Sequence, residues 1–346
     1  MMRCTTAFRT IRKFVTFFLA LDLKISIFAT DIHKPFNQLL MKKLFRTLIV
    51  ASLCLLVTAP VNAQKKPVTK KRTTSTIATY PQRDAAFKSD YKLTAIGTFN
   101  PNDVQSLTFT PMPALDFNGH VLKRNVSRKQ VRLTLLSCRE NQIIDEEEWL
   151  ERNGLTLRET RIEYPMEQYK PRFSYSTGGY LITTYGENWG NARQIVITDE
   201  AQKTLYAAYD FGNWKFSPKT VRMGNTQTVH DFIIEGNILY VAHGTNGYSD
   251  GAGYQTGYIT AFDMENNEII WTTQPMSCNS GFDIVGNSII CGYGFTSEPD
   301  YLFVLDKYSG QRIHKIPLRK KVDYVVPKGD KAYVRTYSYD YVFRIQ

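Results

Sequence analysis

The chain has 346 residues, of which 43% are hydrophobic and 13% aromatic, enough for one large core or two smaller ones. Its net charge of +11 comes from one end, because residues 1–72 hold 14 Lys and Arg against 2 Asp and Glu, which leaves 29 and 30 for residues 73–346. A near-neutral body offers phosphates no broad basic surface, so the charge distribution argues against nucleic-acid binding.

An export signal is predicted near the N-terminus. Met41-Lys42-Lys43 is a basic start, an apolar run follows over 44–57, and Val61-Asn62-Ala63 gives a cleavage pattern of small residues. The apolar run is short and interrupted, so 41–63 is interpreted as a signal peptide, and no transmembrane segment is expected in the mature chain. We interpret residues 1–40 as an upstream extension that is not native. Residues 64–88 are interpreted as a disordered basic tail, with a tether to an anionic surface as the alternative.

Strand signals begin after this tail. Residues 92–99, 104–109, 131–136 and 155–164 have the composition of short strands, and Asp145 to Leu150 suggests one helical turn. The acidic residues of that turn lack a neighbouring His or Cys at ligand spacing. They are therefore interpreted as a solvated face and not as a metal site.

A repeated unit organises the rest of the chain. A glycine turn followed by an apolar run recurs at 178–186, 236–244, 286–294 and 329–337, a period of roughly fifty residues. Each legible unit contains four apolar runs, and four antiparallel strands in such a length are typical of one propeller blade. The sequence thus predicts an all-β propeller over 89–346, with about five to seven four-stranded antiparallel blades.

Two segments carry a resemblance to a known family. Gly257–Trp271 and Tyr301–His314 share an apolar run, an Asp, a polar turn and an aliphatic pair. In this they resemble the repeats of the pyrroloquinoline-quinone-like β-propellers, the quinoprotein alcohol-dehydrogenase-like superfamily. The resemblance covers about residues 173–346 and implies the fold. The chain lacks the length, the adjacent cysteine pair and the full tryptophan signature of the quinone-dependent members, so no cofactor is expected.

The C-terminus predicts how the ring closes. Residues 341–346 align with 301–306, which is the third strand of the preceding unit, so the last blade lacks its outer strand. Closed architectures avoid such an open edge. We therefore expect the segment Lys92–Phe99 to supply the missing strand.

The loops that join the second and third strands of each blade are candidates for a binding site, because all of them emerge on one face. They mix aromatic rings with amide and carboxylate groups, a combination that suits sugars or peptides. The alternative is that the rings pack over the blade ends. The candidate ligand-binding residues are Tyr185, Asn188, Trp189, His243, Asn246, Tyr248, Asp250, Tyr254, Tyr293, Phe295, Asp300, Tyr337 and Tyr339.

No catalytic or metal site is predicted. His230 and Asp231 are neighbours on a strand and therefore point to opposite faces, so Asp231 is interpreted as structural. Residues 246–251 have too few oxygen ligands at the spacing of a calcium loop. Cys138, Cys278 and Cys291 follow the signal, and an odd number leaves at least one thiol free.

These patterns favour an exported, periplasmic or surface, monomeric protein. We expect a non-catalytic binding or scaffold propeller that recognises a protein or glycan partner in the cell envelope. The alternative is a carbohydrate-active enzyme with its acids in the central channel, for which Asp250 and Asp300 are the paired candidates.

Overall fold

The computed structural model describes residues 87–141, 145–161, 170–186, 192–215, 227–245 and 247–346, all of them within the compact unit Thr74–Gln346. The predicted extension, signal peptide and most of the basic tail lie outside the described residues. One helix, α1, spans Glu146–Asn153. The strands, numbered in chain order, are β1 Gly97–Thr98, β2 Thr110–Pro111, β3 Leu133–Glu140, β4 Glu159–Arg161, β5 Lys170–Thr177, β6 Tyr180–Gly186, β7 Gln194–Asp199, β8 Thr204–Asp210, β9 Thr228–Glu235, β10 Ile238–Gly244, β11 Tyr258–Asp263, β12 Glu268–Thr272, β13 Phe282–Val285, β14 Ser288–Phe295, β15 Glu298–Asp306, β16 Arg312–Pro317, β17 Val322–Lys328, β18 Lys331–Thr336 and β19 Tyr339–Ile345.

The strands form four sheets, which we number in chain order. Sheet 1 contains β5 to β8, extended by β4 on the β5 side and by β1 and β2 on β8. Sheet 2 contains β9 to β12, sheet 3 contains β13 to β16, and sheet 4 contains β17 to β19 and β3. The predicted all-β class and the four-stranded antiparallel sheets, of the kind that form propeller blades, are confirmed. Among the described residues no closed ring is found, and five to seven blades are not confirmed.

The repeated glycine turns join the first two strands of each sheet. Gly236-Asn237 connects Glu235 to Ile238, which pair with each other, and the other three turns have the same two-residue geometry. Gly236 has φ +58°, a left-handed conformation that glycine adopts without strain. The repeated glycine turns are therefore hairpins within the sheets.

Each outer strand also carries one extra residue at the same place, which the repeat in the sequence did not reveal. Pairing with the third strand skips a single residue in all four sheets. Such a β-bulge bends the strand and increases its twist. The skipped residues are Tyr206, Ile270, Ile313 and Leu136.

Most strands carry apolar side chains on both faces, so each sheet packs against the next one along the chain. One core lies between sheets 1 and 2 around Phe232, another between sheets 2 and 3 around Tyr240 and Trp271, and a third between sheets 3 and 4 around Phe343. The far face of sheet 1 is covered by the segment around Val104, and that of sheet 4 by α1.

The prediction that Lys92–Phe99 completes the last sheet is wrong. β19 pairs instead with β3, in the register Tyr341 opposite Cys138, and Gly97 and Thr98 pair with the outer strand of sheet 1. The residues 104–109, predicted as a strand, begin with a short 3-10 turn. The missing strand does come from the N-terminal part of the chain, but about forty residues later than expected.

Before it reaches β3, the chain wraps around the outer edges of the sheets, and we call residues 96–132 the belt. Ile96 N donates to Leu205 O over 2.8 Å in sheet 1, and His120 and Thr272 exchange two bonds of 2.8 Å in sheet 2. Leu122 N then donates to Ser309 O over 2.9 Å in sheet 3. The belt thus follows sheets 1, 2 and 3 in order and becomes the outer strand of sheet 4.

A second non-repetitive segment, residues 145–161, touches all four sheets, and we call it the central segment. Asp145 caps α1 by accepting a bond of 2.7 Å from Glu148 N, and Gly154 ends the helix with φ +59°. Buried Trp149 stacks on Tyr324 of sheet 4, and β4 pairs with β5 of sheet 1. Arg158 reaches sheets 2 and 3.

Candidate functional site: a cavity where the inner strands begin

A cavity of about 1100 Å³ lies where the inner strands β9, β13 and β17 begin. The end of β3, the β18–β19 turn and the central segment complete its wall, so all four sheets contribute residues. This is the side on which the blade-to-blade links and the loops between second and third strands lie, opposite the glycine hairpins. Pockets that bind ligands are commonly of this size.

The described residues of the cavity wall include more acidic than basic side chains. Among them Lys321 and Arg335 are the two cations, whereas Glu140, Glu146, Glu159 and Asp323 supply four carboxyl groups. Glu140 accepts a bond of 3.2 Å from the Tyr339 hydroxyl, and Glu146 accepts one from the Tyr324 hydroxyl. Burial raises the pKa of Asp323, while the nearby Lys321 acts in the opposite direction.

His230 lies at the bottom of the cavity, at the start of β9. Burial, together with the charge of Lys321, lowers the pKa of His230 to about 4, so the ring is neutral at physiological pH. Its carbonyl oxygen accepts a bond from the Tyr175 hydroxyl, and its Nε2 has no hydrogen-bond partner among the described residues. This nitrogen is buried without such a partner, which favours the uncharged ring.

Arg158 forms a polar cluster beneath the cavity. It donates to the carbonyl oxygens of Phe232 and Phe282 over 2.8 Å each and to Asp231 Oδ2 over 3.0 Å, and its Nε lies 3.9 Å from Asp283. Asp231 also accepts from the backbone of Phe282 over 3.0 Å. The interpretation of Asp231 as structural is confirmed by these bonds, because they join sheets 2 and 3 to the central segment.

Three candidate residues lie inside the hydrophobic cores. Tyr185 packs with Val196 against the far face of sheet 1, and the Tyr293 hydroxyl donates to Glu298 over 2.8 Å. The His243 ring contacts Gln227 Oε1 at 3.0 Å and Thr260 Oγ1 at 2.9 Å and stacks on Tyr258. Burial and then the charge of His230 lower the pKa of His243 well below its usual range. These contacts match the alternative in which the rings pack.

Five further candidates lie near the surface but do not line the cavity. Tyr248 contacts Phe295 at 5.2 Å between ring centroids, and Tyr254 is exposed. Asp250 is exposed and accepts from Gly251 N over 2.7 Å, whereas Asp300 is half-buried. Burial raises the pKa of Asp300, and Lys320 and Lys321 oppose the rise.

Tyr337 and Tyr339 are the candidates that line the cavity. Tyr337 is 84% exposed at its rim, and Tyr339 lies under the guanidinium of Arg319 at 4.9 Å. Asn188, Trp189 and Asn246 fall outside the described residues. Ligand binding by the thirteen candidates stays a prediction.

Two of the loops that join second and third strands are very short. β14 runs to Phe295 and β15 begins at Glu298, so the connection between them is a turn of two residues. The loop after β18 likewise consists of Tyr337 and Ser338. Their aromatic side chains therefore belong largely to paired strands, where cross-strand neighbours hold them in place.

Most of the cavity-lining residues are not predictable from the sequence. Lys321 and Asp323 stand at the beginning of β17, which the repeat identifies, but no local signal distinguishes them from ordinary surface charges. Glu140 and Glu159 come from outside the repeat, and they reach the cavity through the pairing of β3 with β19 and of β4 with β5. Sequence alone does not fix either pairing.

Among the described residues, no group of three or more His, Cys, Asp or Glu side chains is arranged to hold a metal ion. In the same part of the chain, no helix is long and apolar enough to cross a membrane. Cys138, Cys278 and Cys291 are free thiols, and Cys291 lies opposite Phe282 as the hairpin register predicts.

The fold defines an all-β protein of propeller-like sheets, and comparison with known proteins adds distant structural similarity. No protein-family model and no curated protein matches the chain. BamB from Moraxella catarrhalis is similar at 10% identity with a TM-score of 0.32, over 49% of this chain and 43% of that one. This chain thus spans less than half the length of that protein. A chain of the mitotic checkpoint complex is similar at 11% identity with a TM-score of 0.24, over 80% of this chain and 99% of that one.

Proposed function

We propose that the protein is an exported, non-catalytic binding module that takes a segment of a protein partner into the cavity of about 1100 Å³. The observation that carries the proposal is the composition of the wall, whose described residues place four carboxyl groups and two cations around a concave, partly aromatic surface. A cavity of this volume accommodates several residues of an extended peptide.

The surplus of carboxyl groups favours a peptide that brings Lys or Arg side chains. Charges of opposite sign across an interface direct association and exclude partners of like charge. A glycan would offer these carboxylates hydroxyl donors, whereas a Lys or Arg side chain supplies donors together with the opposite charge. The exposed ring of Tyr337 adds a surface over which a cation can lie.

A screen of the full chain against a random library of peptides about twelve residues long and against a glycan array tests the proposal. Asp323→Asn and Tyr337→Ala alter the cavity, whereas Asp250→Asn removes an exposed carboxylate outside it. We expect enriched peptides to contain Lys or Arg. Their affinity should fall about tenfold in the Asp323→Asn/Tyr337→Ala double variant, about 1.4 kcal/mol, and stay unchanged in Asp250→Asn.

Two outcomes would contradict this function. Binding to glycans alone would favour the glycan partner, and hydrolysis of a bound glycan would favour the carbohydrate-active enzyme, since a pair of carboxylic acids is its usual machinery. Peptide binding that both cavity substitutions leave unchanged would place the partner elsewhere on the molecule. Melting temperatures of all variants, measured alongside, identify any loss that comes from unfolding.

A further inference from the structure

Among the described residues, the belt leaves the outer edge of sheet 4 without a covering strand. In sheet 1, β1 and β2 pair with the outer strand β8, and in sheet 2 His120 bridges to Thr272 at the end of β12. The belt then becomes β3, the outer strand of sheet 4. Among the described strands β3 pairs with β19 alone, so its other edge faces outward.

The bulge residue of the outer strand is apolar in all four sheets, but its exposure to solvent differs from sheet to sheet. Ile270 of sheet 2 is 1% exposed, and Tyr206 of sheet 1 packs against the core beside Tyr180. Leu136 of sheet 4 is 42% exposed, and its neighbour Leu135 is 52% exposed. The sequence therefore places two leucines where no described residue covers them.

Sheet 3 shows how this fold protects an outer strand that lacks strand pairing on its outer side. β16 carries the exposed residues His314 and Lys315 and ends at Pro317. A charged residue and a proline on an edge discourage other chains from adding a strand. From Leu133 to Cys138, β3 has no charged residue and no proline.

The backbone of β3 is also oriented for pairing. Arg132 and Gln346 exchange both hydrogen bonds, of 2.9 and 3.0 Å, so the amide of Arg132 points toward β19. Hydrogen-bonding direction alternates along a strand, so the amides of Leu133 and Leu135 point away from β19. Among the described residues these two amides have no hydrogen-bond partner, and they lie beside exposed apolar side chains.

We propose that β3 is a docking edge at which an extended segment of another protein adds a strand to sheet 4. The short belt strands on sheet 1 already show this type of pairing within the chain, and recognition by strand addition uses the same backbone bonds. Exposed Arg132 and Arg139 flank the two leucines. The partner segment that fits is apolar at alternate positions in its centre and carries Asp or Glu near its ends. This surface is separate from the cavity, and the proposal does not rest on the peptide that the cavity would bind.

Selection of a random library of peptides about twelve residues long, with the full chain as bait, tests the docking edge. The test variant is Leu135→Arg/Leu136→Lys, in which the first change copies Arg312 at the equivalent position of sheet 3. Ile96→Lys is the matched control, because Ile96 is also an exposed apolar residue and lies next to β1. Leu136→Thr is the milder variant to use if the double substitution lowers the melting temperature.

We expect a class of enriched peptides with alternating apolar residues and terminal Asp or Glu. Their affinity should fall at least about tenfold in the β3 variants, about 1.4 kcal/mol, and persist in Ile96→Lys and in the cavity variants Asp323→Asn and Tyr337→Ala. Peptide binding should also slow hydrogen exchange at the Leu133 and Leu135 amides.

The proposal is wrong if no such class is enriched, or if its members bind the β3 variants as well as the native chain. It is equally wrong if the native chain is a dimer in solution and the β3 variant a monomer, because a second copy of the chain would then occupy the edge. Loss of peptide binding in the cavity variants alone would support the cavity function and contradict the docking edge.

Discussion

Sheets 2 and 3 differ from the belt and the central segment in how their residues are held. In the two sheets most residues of the second and third strands are buried between sheets, and β10 is buried along its whole length. The belt and the central segment have few such residues and are attached at separate points, by Met112, His120 and Arg158. The repeats build the sheets, whereas the two non-repetitive segments connect sheets that are distant in the chain.

The largest expected effect concerns the central segment. Arg158→Ala should lower the free energy of unfolding by about 3–5 kcal/mol, because it leaves the Asp231 carboxylate buried without its cation. Chemical denaturation with fluorescence detection measures this loss. Arg152→Ala in the same segment is the control, because Arg152 forms an exposed ion pair with Glu148 and should leave the midpoint unchanged.

If Arg158→Ala also leaves the midpoint unchanged, the sheets hold together without the central segment, and the contrast between the two kinds of region disappears. Arg158→Lys separates charge from geometry. A lysine restores the positive charge but not the donors to Phe232 and Phe282, so we expect recovery of part of the loss.

The repeats made the sheets predictable from sequence. Gly236 and its equivalents identified the hairpins, and the alternating apolar residues identified the strands on either side. The origin of the last strand could not be predicted in the same way. Several N-terminal segments have strand-like composition, and the selection of 133–140 over 92–99 depends on contacts with β19 that are distant in the chain.

The lining of the cavity was only partly predictable from the sequence. The repeat pointed to the face that carries the cavity, and two of the thirteen candidates, Tyr337 and Tyr339, line it. Tyr185, His243 and Tyr293 are instead buried in the cores. Large side chains exclude water from the ends of the strands as well as from their centres. Sequence composition does not distinguish an aromatic ring that packs from one that binds.

The next largest effect is the pH dependence of stability that comes from His230, which lies on a strand of the repeats. His230 has a pKa of about 4 in the folded chain, against about 6.5 when unfolded. Its contribution to stability is complete above pH 6.5, is lost as pH falls toward 4, and amounts to about 3 kcal/mol. Thermal denaturation between pH 7 and 4 should show a shallower decrease for His230→Gln than for the native chain. Parallel curves for the two proteins would mean that the ring is already accessible to protons.

A smaller effect compares two glycines that differ in their contact with the N-terminal residues. Gly236 and Gly286 both have φ +58°, so an alanine at either costs about 1–2 kcal/mol in left-handed strain. A Cβ on Gly236 would also overlap the carbonyl oxygen of Lys88, whereas one on Gly286 meets nothing within 4 Å. Gly236→Ala should therefore have the lower melting temperature. Equal values would show that the residues around Lys88 do not pack firmly on this turn.

The smallest effect is expected for the side chain of Lys88, and it identifies what holds this part of the chain. Lys88 Nζ lies 2.6 Å from Glu265, but both side chains are largely solvated, so Lys88→Met should leave the melting temperature unchanged at low and at high salt. The backbone amide of Lys88 donates to Asn237 Oδ1 over 2.9 Å, and this bond remains in the variant. The ion pair would be the anchor if Lys88→Met clearly lowered the melting temperature at low salt and if added salt reduced the difference between the variant and the native chain. If no stability is lost, the residues around Lys88 are held by backbone hydrogen bonds, as the belt is.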